Sequence, residues 1–537
     1  MKLRLMYLLF FVITSLYAQE DAWVYFTDKP DAAYYLANPL EMLSQRALDR
    51  RMAQGITLDN KDVPVSNTYI TQVTAAPGIT VMAKSKWLNA LHIRGSVADI
   101  NALATLPFIS YIDFASNGIG NTNRPAEVQQ MASVNKFLQA QATYSYGNSS
   151  SQVTMLNGHL LHQQDFTGTG KIIAVLDSGF PGVNTTQPFQ RLINNNQILG
   201  GYDFVNRNPN FFTGHFHGTM VLSTMGGYTE GQLVGTAPDA SYYLFITENA
   251  ASENPVEESL WVEAAEMSDS LGVDIINTSL GYFTYDNPAY SYTYDDLNGN
   301  TAFITRGSEA AFSRGIILVT SAGNSGSTAN PYINVPGDAP HTVTVGAVDS
   351  QEVISPFSSY GPTFDGRVKP DVVAQGVNAV VANPAGEIVT VGGTSFSSPI
   401  TAGLIACLWQ ALPDMTNLEM ISLVRASADR FTIPDPKYGY GVPDFSLALQ
   451  NGLGLTETGN TQQLLLYPNP VTDRLNFILP ATANSVNISI FNNLGQLVLQ
   501  QTATQGNSIS VQNLANGIYS YRAESGSVTR TGRIVKK

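Results

Sequence analysis

Three side chains of this sequence could together form a nucleophilic catalytic centre: Asp177, His217 and Ser395. A serine hydroxyl is a weak nucleophile until a neighbouring imidazole takes its proton. The imidazole in turn needs a carboxylate that fixes its tautomer and stabilises its cationic form. The three residues therefore supply a carboxylate, a base and a nucleophile, which are the parts that acyl-transfer chemistry requires.

The residues next to each of the three indicate where the side chains lie on secondary structure. Asp177 directly follows the apolar run Ile172–Leu176, so a buried strand would carry it at its carboxyl end. His217 opens an apolar run that can start a helix. Ser395 begins another helical run, and we place Pro399 in the first turn, where a missing N–H costs little.

The order and surroundings of these residues resemble those of the subtilisin-like serine endopeptidases. The motifs that carry the resemblance are Asp177-Ser178-Gly179, His217-Gly218-Thr219 and Gly393-Thr394-Ser395. The resemblance covers about residues 153 to 450. It implies hydrolysis of peptide bonds through a Ser-His-Asp triad and an acyl-enzyme intermediate, with protein or peptide substrates and no required cofactor.

The resemblance also assigns oxyanion and substrate-binding roles. Asn324 matches the side chain that donates to the oxyanion, and the N–H of Ser395 would be the second donor. Ser279-Leu280-Gly281 resembles the edge at which a peptide substrate pairs as an added β-strand. Pro336 resembles a wall of the primary specificity pocket.

Three other kinds of protein are compatible with parts of the pattern. His215 and His217 could be two zinc ligands, but a zinc hydrolase needs a third ligand and a general base, and no other histidine has metal-motif spacing. Because only His217 precedes Gly-Thr, we expect His215 at the surface or behind the site. A serine esterase would show a Gly-x-Ser-x-Gly elbow, which Ser395 lacks. A catalytically silent adhesin on a protease scaffold is the remaining alternative.

Near-continuous aliphatic runs predict strands that are buried on both faces of a parallel sheet. The runs are Ile172–Leu176, Val273–Ile276, Ile316–Val319 and Val343–Val348. Helix-like stretches lie between them, so the predicted fold class is α/β, a three-layer sandwich of helices, parallel sheet and helices. The active site should then lie beyond the carboxyl ends of the strands.

Changes of composition along the chain predict six segments. They are a signal peptide at 1–18, a small α/β propeptide-like domain at 19–114, a linker or processing region at 115–152, the catalytic domain at 153–452, a linker at 453–463 and a small β-domain at 464–537. The first segment has a basic start and a short apolar stretch, as a secretion signal does; a membrane anchor is the alternative.

The N-terminal segment resembles, in its pattern, the inhibitory propeptides of subtilisin-like proteases. Its predicted strands are Trp23–Phe26, Ile79–Met82, Leu91–Ile93 and Phe108–Phe114, and its predicted helices are Leu43–Ala53 and a run that Ser96 caps. The alternative is an ordinary N-terminal domain that stays in place.

The last seventy or so residues resemble the C-terminal sorting domains of the type IX secretion route in Bacteroidota. The motifs are Tyr467-Pro468-Asn469-Pro470, Asn493-Leu494-Gly495-Gln496, Leu514–Tyr519 and the basic end Arg533–Lys537. They imply that type IX machinery is a partner and that the protein is secreted or lies at the cell surface. A carbohydrate- or matrix-binding β-module is the alternative.

Charge and composition limit the other partners. The net charge of −14 argues against nucleic-acid binding, and no second apolar segment of membrane-spanning length follows the signal. The single cysteine, Cys407, lies in an apolar run and is expected to be a buried small side chain. Asp295 and Asp296 could bind calcium, but a solvated turn is favoured. We expect a monomer, and an aromatic loop at 282–294 that folds against its own domain.

Overall fold

The computed structural model describes residues 19–119 and 144–458, followed by 465–467, 471, 473–478, 485–492, 496–504, 508–525 and 528–536. The predicted signal peptide therefore lies outside the described residues. The chain divides into two compact units, with the boundary between Leu449 and Gln450.

An antiparallel sheet with short helices makes up the N-terminal part of the first unit. Its elements are β1 (Gln19–Phe26), α1 (Ala32–Ala37), α2 (Gln45–Ala53), α3 (Asn67–Thr74), β2 (Thr80–Ser85), β3 (Ala90–Ser96), α4 (Val97–Ala102) and β4 (Ile109–Phe114). The strand order is β2-β3-β1-β4. Ser96 accepts a hydrogen bond from the N–H of Asp99 at 3.2 Å, so the predicted helix cap is present.

The rest of the first unit alternates strands and helices, and its last helix continues past Leu449. The elements are α5 (Ser150–Thr154), α6 (Gly158–His162), β5 (Ile172–Asp177), α7 (Gln190–Asn194), β6 (Ile198–Asp203), α8 (His217–Gly226), β7 (Tyr228–Thr229), β8 (Leu233–Val234), β9 (Ser241–Ile246), α9 (Val256–Leu271), β10 (Ile275–Thr278), α10 (Phe303–Ser313), β11 (Ile317–Ser321), β12 (Val343–Val348), β13 (Val372–Gln375), β14 (Ala379–Ala382), β15 (Ile388–Val391), α11 (Thr394–Ala411), α12 (Asn417–Ala426) and α13 (Phe445–Thr458).

Seven parallel strands form the central sheet, in the order β13-β12-β11-β10-β5-β9-β6. Every residue of β5, β10, β11 and β12 is buried, which explains why the sequence shows continuous aliphatic runs there. Helices α8 and α11 pack together against the sheet, and α9 and α10 form a second packed pair. The predicted three-layer α/β class is confirmed.

The N-terminal sheet shares a hydrophobic cluster with α9 and α10. Trp23 stacks on Phe303 of α10 with ring centroids 5.0 Å apart, and its indole N–H donates to Ser259 of α9 at 2.8 Å. The N-terminal domain therefore covers the α9–α10 layer of the catalytic part.

The second unit contains two antiparallel sheets. Its strands are β16 (Leu465–Tyr467), β17 (Arg474–Ile478), β18 (Ser485–Phe491), β19 (Leu497–Thr504), β20 (Ile509–Ser510), β21 (Gly517–Ser525) and β22 (Val528–Lys536). The strand orders are β16-β17-β20 and β19-β18-β21-β22. Alternate residues of β18, Val486, Ile488 and Ile490, are fully buried, as expected for a small β-domain with one apolar face. Within the described parts of the chain, no helix is both long and apolar enough to span a bilayer.

Candidate active site

Asp177 and His217 form a hydrogen-bonded pair. Asp177 is the last residue of β5, and His217 is the first residue of α8. The imidazole Nδ1 lies 2.8 Å from Asp177 Oδ1 and 3.1 Å from Oδ2. Asp177 is fully buried, and the N–H of Ser178 also donates to its Oδ1 at 2.7 Å. The carboxylate thus fixes Nδ1 as the protonated nitrogen and leaves Nε2 of His217 to act as a base.

A glycine allows this pairing. Gly179 has φ +150°, and a Cβ added there would lie 2.4 Å from the carbonyl oxygen of Thr213. The two chain segments approach closely because that Cβ is missing: the N–H of His215 donates to Ser178 O at 2.9 Å, and the N–H of Phe180 donates to Thr213 O at 2.8 Å. The loop that leads to His217 is therefore held against the end of β5.

The environment changes the basicity of His217. Partial burial of the imidazole lowers its pKa, whereas the negative charge of Asp177 and the hydrogen bond to it raise the pKa. The two contributions of Asp177 together exceed the lowering by burial, so the pKa of His217 lies above its ordinary value of 6.5. His217 is therefore a stronger base than an isolated histidine.

Ser395 lies in the first turn of α11, beside His217. The ring of the next residue, Phe396, is 5.9 Å from the His217 ring, centroid to centroid. The Ser395 hydroxyl donates to the carbonyl of Ser279 at 3.3 Å, and the hydrogen bonds of the described residues include none from Ser395 Oγ to His217 Nε2. Catalytic hydrogen bonds often form only when substrate is bound.

We predicted from the sequence that Pro399 lies in the first turn of α11. This prediction was wrong, because Pro399 lies inside the helix. Its missing N–H would otherwise bond to the carbonyl of Ser395, four residues earlier. The hydroxyl of Ser279 donates to that carbonyl instead, at 2.8 Å. The lost helix bond is thus replaced by a side chain from the loop after β10, and the sequence pattern contained no sign of this contact.

Asn324 follows β11 and points its amide toward the start of α11. Its Oδ1 accepts hydrogen bonds from the N–H and the hydroxyl of Thr394, at 2.9 and 3.0 Å. Because Thr394 N–H can only donate, this bond fixes Nδ2 as the free donor end of the amide. A methyl group added at Gly393 would lie 3.7 Å from Nδ2. Thr394, which our sequence analysis did not single out, is thus the residue that orients Asn324.

Of the predicted substrate-binding residues, Ser279 contacts Ser395 directly. Ser279 exchanges two hydrogen bonds with Ser395, and Leu280 and Gly281 follow it at the surface, half exposed. Tyr282 pairs with Val335 in an antiparallel bridge, which places the buried Pro336 beside this segment.

The residues with alternative interpretations lie as expected. His215 is exposed, with Nδ1 3.5 Å from Ser178 Oγ. The carboxylate of Asp296 accepts from the N–H and hydroxyl of Thr293, each at 2.8 Å, so it closes a turn. Tyr285 and Tyr292 of the aromatic loop both donate to the buried carboxylate of Glu258, so the loop packs against its own domain. His215 is thus at the surface, and the aromatic loop packs as the sequence predicts.

Two further groups of ionisable side chains lie outside the triad: a buried thiol and a cluster of carboxylates. Cys407 is buried, which raises its pKa, and its thiol donates to Thr236 O at 3.1 Å. Among the described residues, the carboxylates of Glu248, Glu253 and Glu257 lie within 4.8 Å of one another and could hold a cation. Burial and the negative charge of Asp286 raise the pKa of Glu253 to about 7. Burial, with the charges of Glu253 and Asp286, raises the pKa of Glu257 to about 8.

Comparison with known families agrees with this geometry. Residues 168–441 match the subtilase family, residues 21–132 match the peptidase S8 propeptide domain of Bacteroidota, and residues 465–537 match the secretion system C-terminal sorting domain. The chain belongs to the subtilase family. This membership confirms the predicted class, a serine-type endopeptidase made with a propeptide, and the sorting domain assigns it to type IX export to the cell surface or beyond.

Individual relatives match between half and two thirds of the chain. Serine protease AprX of Bacillus subtilis (strain 168) is 29% identical over 308 residues, which are 52% of this chain and 66% of AprX. M-protease of Shouchella clausii (strain KSM-K16) is 27% identical over 351 residues, 65% of this chain and 77% of M-protease. The solved structure of MycP1 with its N-terminal propeptide removed is 24% identical, covers 56% of this chain and 96% of that chain, and has a TM-score of 0.45.

Proposed function

We propose that this chain is a secreted serine endopeptidase in which Asp177, His217 and Ser395 form the catalytic triad and Asn324 holds the oxyanion. The observation that carries the proposal is the His217 Nδ1 to Asp177 Oδ1 bond of 2.8 Å beside the start of α11, where Ser395 lies. Calcium is not part of the proposed chemistry, and we propose that the mature enzyme is a monomer.

In the proposed reaction, Ser395 Oγ attacks the carbonyl carbon of the scissile peptide while His217 Nε2 takes the hydroxyl proton. The oxyanion of the tetrahedral intermediate accepts hydrogen bonds from Asn324 Nδ2 and from the N–H of Ser395, which has no intrahelical acceptor in the first turn. His217 then gives its proton to the leaving amine, and the acyl-enzyme forms. Water, deprotonated by His217, releases the acid and regenerates Ser395.

We propose that the substrate lies as an extended strand along Ser279, Leu280 and Gly281, with Pro336 as one wall of the pocket for the residue before the scissile bond. The partial exposure of Leu280 and Gly281 supports this, because strand addition uses main-chain hydrogen bonds. Ser279, next to the nucleophile, would align the scissile carbonyl with Ser395.

We further propose that the predicted segments correspond to stages of maturation. The domain at 19–114 is a propeptide, the catalytic domain is 153–452, and the tail is a sorting domain. The mature enzyme starts between Ala115 and Gln152 and ends between Leu453 and Leu466. Ends of the mature protein determined by mass spectrometry would test these boundaries.

Active-site labelling tests the proposed function directly. A fluorophosphonate or sulfonyl fluoride should label Ser395 of the wild-type protein, and a peptide library should then define cleavage preference. The Ser395→Ala variant is the labelling control. An adhesin without activity would show no labelling, and zinc chemistry would survive the serine reagent but not a chelator.

The activity should rise with pH as His217 loses its proton. Only neutral His217 can accept the Ser395 proton, so the protonated form below its pKa is inactive. Because Asp177 raises that pKa, the midpoint of kcat/KM should lie above pH 6.5. A pH–rate profile of kcat/KM measures it, and Asp177→Asn should shift any residual profile to lower pH. A profile that is flat from pH 5 to 8 would contradict a histidine base.

Removal of the tail should stop export but not catalysis. We expect a protein that ends before Tyr467 to be as active in cell lysate as the full chain, since Asp177, His217 and Ser395 lie in the other compact unit. The truncated protein should remain in the periplasm. Activity in medium and periplasm measures this. Normal amounts in the medium would show that the carbohydrate- or matrix-binding alternative is the better one.

A further inference from the structure

A cavity of about 450 Å³ lies between helix α2 of the N-terminal domain and the starts of the central strands. The wall formed by α2 includes Arg46 and Ala53, and the opposite wall includes Lys171, Trp409 and Met415. Cavities of about 300–1,000 Å³ are the usual size of small-molecule sites. The cavity is therefore large enough for a small organic ligand.

The cavity is remote from the catalytic residues. Lys171 directly precedes β5, and Asp177 is the last residue of the same strand. A strand rises by about 3.3 Å per residue, so about 20 Å separate these two positions. A ligand in the cavity would therefore not compete with a substrate at Ser395.

Lys171 brings a positive charge into the cavity that is only weakly compensated. Its Nζ lies over the ring of Trp409, 4.7 Å from the ring centroid. The hydrogen bonds and ion pairs of the described residues include none from this Nζ, although an ammonium group has three N–H donors. Burial lowers the pKa of Lys171, because the charged form loses hydration. An anion beside Nζ would replace the lost hydration.

The other two cations that line the cavity already have carboxylate partners. Arg46 forms an ion pair with Asp274 at 2.5 Å, and Arg50 forms one with the buried Asp269 at 2.6 Å. Among the described residues, Lys171 is thus the one cation of the lining without an ion-pair partner. A ligand that brings a single negative charge would match it.

The lining beside Lys171 is largely apolar. Trp409 and Met415 are buried, and the indole N–H of Trp409 donates to the carbonyl of Met415 at 2.8 Å, so the indole presents no free polar group. Pro413 and Ala53 add further apolar surface. Asp49, the remaining acidic side chain of the lining apart from Asp274, is exposed. The lining therefore suits a ligand that has an apolar body and one anionic end.

We propose that this cavity binds a small organic carboxylate, with its anionic end on Lys171 and its apolar body against Trp409 and Met415. Because the N-terminal domain supplies one wall, both domains hold the ligand, and its binding stabilises the uncut chain. The proposal does not depend on the proposed function, since Asp177, His217 and Ser395 take no part in it.

Binding can be measured on the full chain with Ser395→Ala, which would stay uncut whatever the activity of the wild type. Isothermal titration calorimetry compares hexanoate with hexanamide, a neutral molecule of nearly the same shape, and with inorganic sulfate. Lys171→Met removes the charge, and Lys171→Arg keeps it. Lys437→Met is the matched control, because Lys437 is an exposed lysine 5.5 Å from the ring centroid of Tyr360, outside the cavity.

Hexanoate should bind about tenfold more tightly than hexanamide and should raise the unfolding temperature of the chain. Lys171→Met should weaken hexanoate binding about tenfold and leave hexanamide binding unchanged, as expected for the loss of one charged hydrogen bond. Lys171→Arg should retain most of the affinity, and Lys437→Met should match the unchanged protein.

If Lys171→Met does not fold, Ala53→Leu provides a second test at an exposed position of the cavity wall. The larger side chain narrows the cavity and should weaken hexanoate binding about tenfold. Three results would overturn the proposal: no binding of hexanoate, equal affinities for hexanoate and hexanamide, or sulfate binding at Lys171 as tight as that of hexanoate. An inert wild-type enzyme would overturn the proposed function and leave these results unaffected.

Discussion

Replacement of Ser395 by Ala should lower kcat/KM for peptide hydrolysis by about 10⁴- to 10⁶-fold, the range found when a member of such a triad is removed. His217→Ala and Asp177→Ala should also cause large losses of kcat/KM, because the nucleophile, its base and the carboxylate act as one unit. The Ser395→Ala, His217→Ala double variant should therefore be hardly worse than either single variant.

His215→Ala is the matched control for this series. His215 is exposed and bonds only weakly, through Nδ1 at 3.5 Å to Ser178 Oγ, whereas His217 bonds to the buried Asp177. We expect His215→Ala to keep activity within about threefold of wild type, as for a surface substitution. Initial rates on a fluorogenic peptide, with thermal unfolding to confirm that each variant is folded, measure the series. Equal losses from both histidine variants would show that His217 is not the specific base.

Asn324→Ala should lower kcat by about 100- to 1000-fold and change KM little. The range is taken from a related serine protease rather than derived from this geometry. The physical reason is that Nδ2 of Asn324 donates to a charge that exists only in the transition state and the intermediate. Steady-state kinetics on one peptide substrate separate kcat from KM.

Asn330→Ala, in the same exposed loop, is the control for the Asn324 variant. Asn324 also accepts two hydrogen bonds from Thr394, so its removal could loosen the start of α11. Thr394→Val removes one of these bonds and keeps the Asn324 amide. A large loss of kcat in Asn324→Ala with a small loss in Thr394→Val would indicate the oxyanion role. An unchanged kcat in Asn324→Ala would mean that other groups hold the oxyanion.

The strands and the order of the catalytic side chains could be predicted from the sequence because both depend on local pattern. A continuous aliphatic run such as Ile172–Leu176 can be buried on both faces only in a parallel sheet, and the residue after it then lies at the carboxyl edge. The observed strands differ from the predicted ones by up to four residues at their ends: β1 begins at Gln19 rather than Trp23, and β10 begins at Ile275 rather than Val273. The first and last residues of a strand depend on its pairing with neighbouring strands. The aliphatic run of a single strand contains no information about that pairing.

Contacts between distant segments could not be predicted in this way. The bond from Ser279 to the Ser395 carbonyl joins residues 116 positions apart, and no local pattern encodes such a distance. The pattern at Leu43–Ala53 predicts only a helix. In the structure Arg50 and Arg51 are buried against Asp269, because the partner carboxylate lies in another domain.

The proline in α11 limits how freely this protease could change its substrate preference. Ser279 belongs to the segment where we propose that substrates bind, yet its hydroxyl is also the donor that replaces the missing N–H of Pro399. An apolar side chain at position 279 would leave a buried carbonyl of Ser395 without a donor, a cost of about 1–3 kcal/mol in the free energy of unfolding. Variation at this position is therefore restricted to small hydroxyl side chains, and new specificities must arise at Leu280, Gly281 or the wall that contains Pro336.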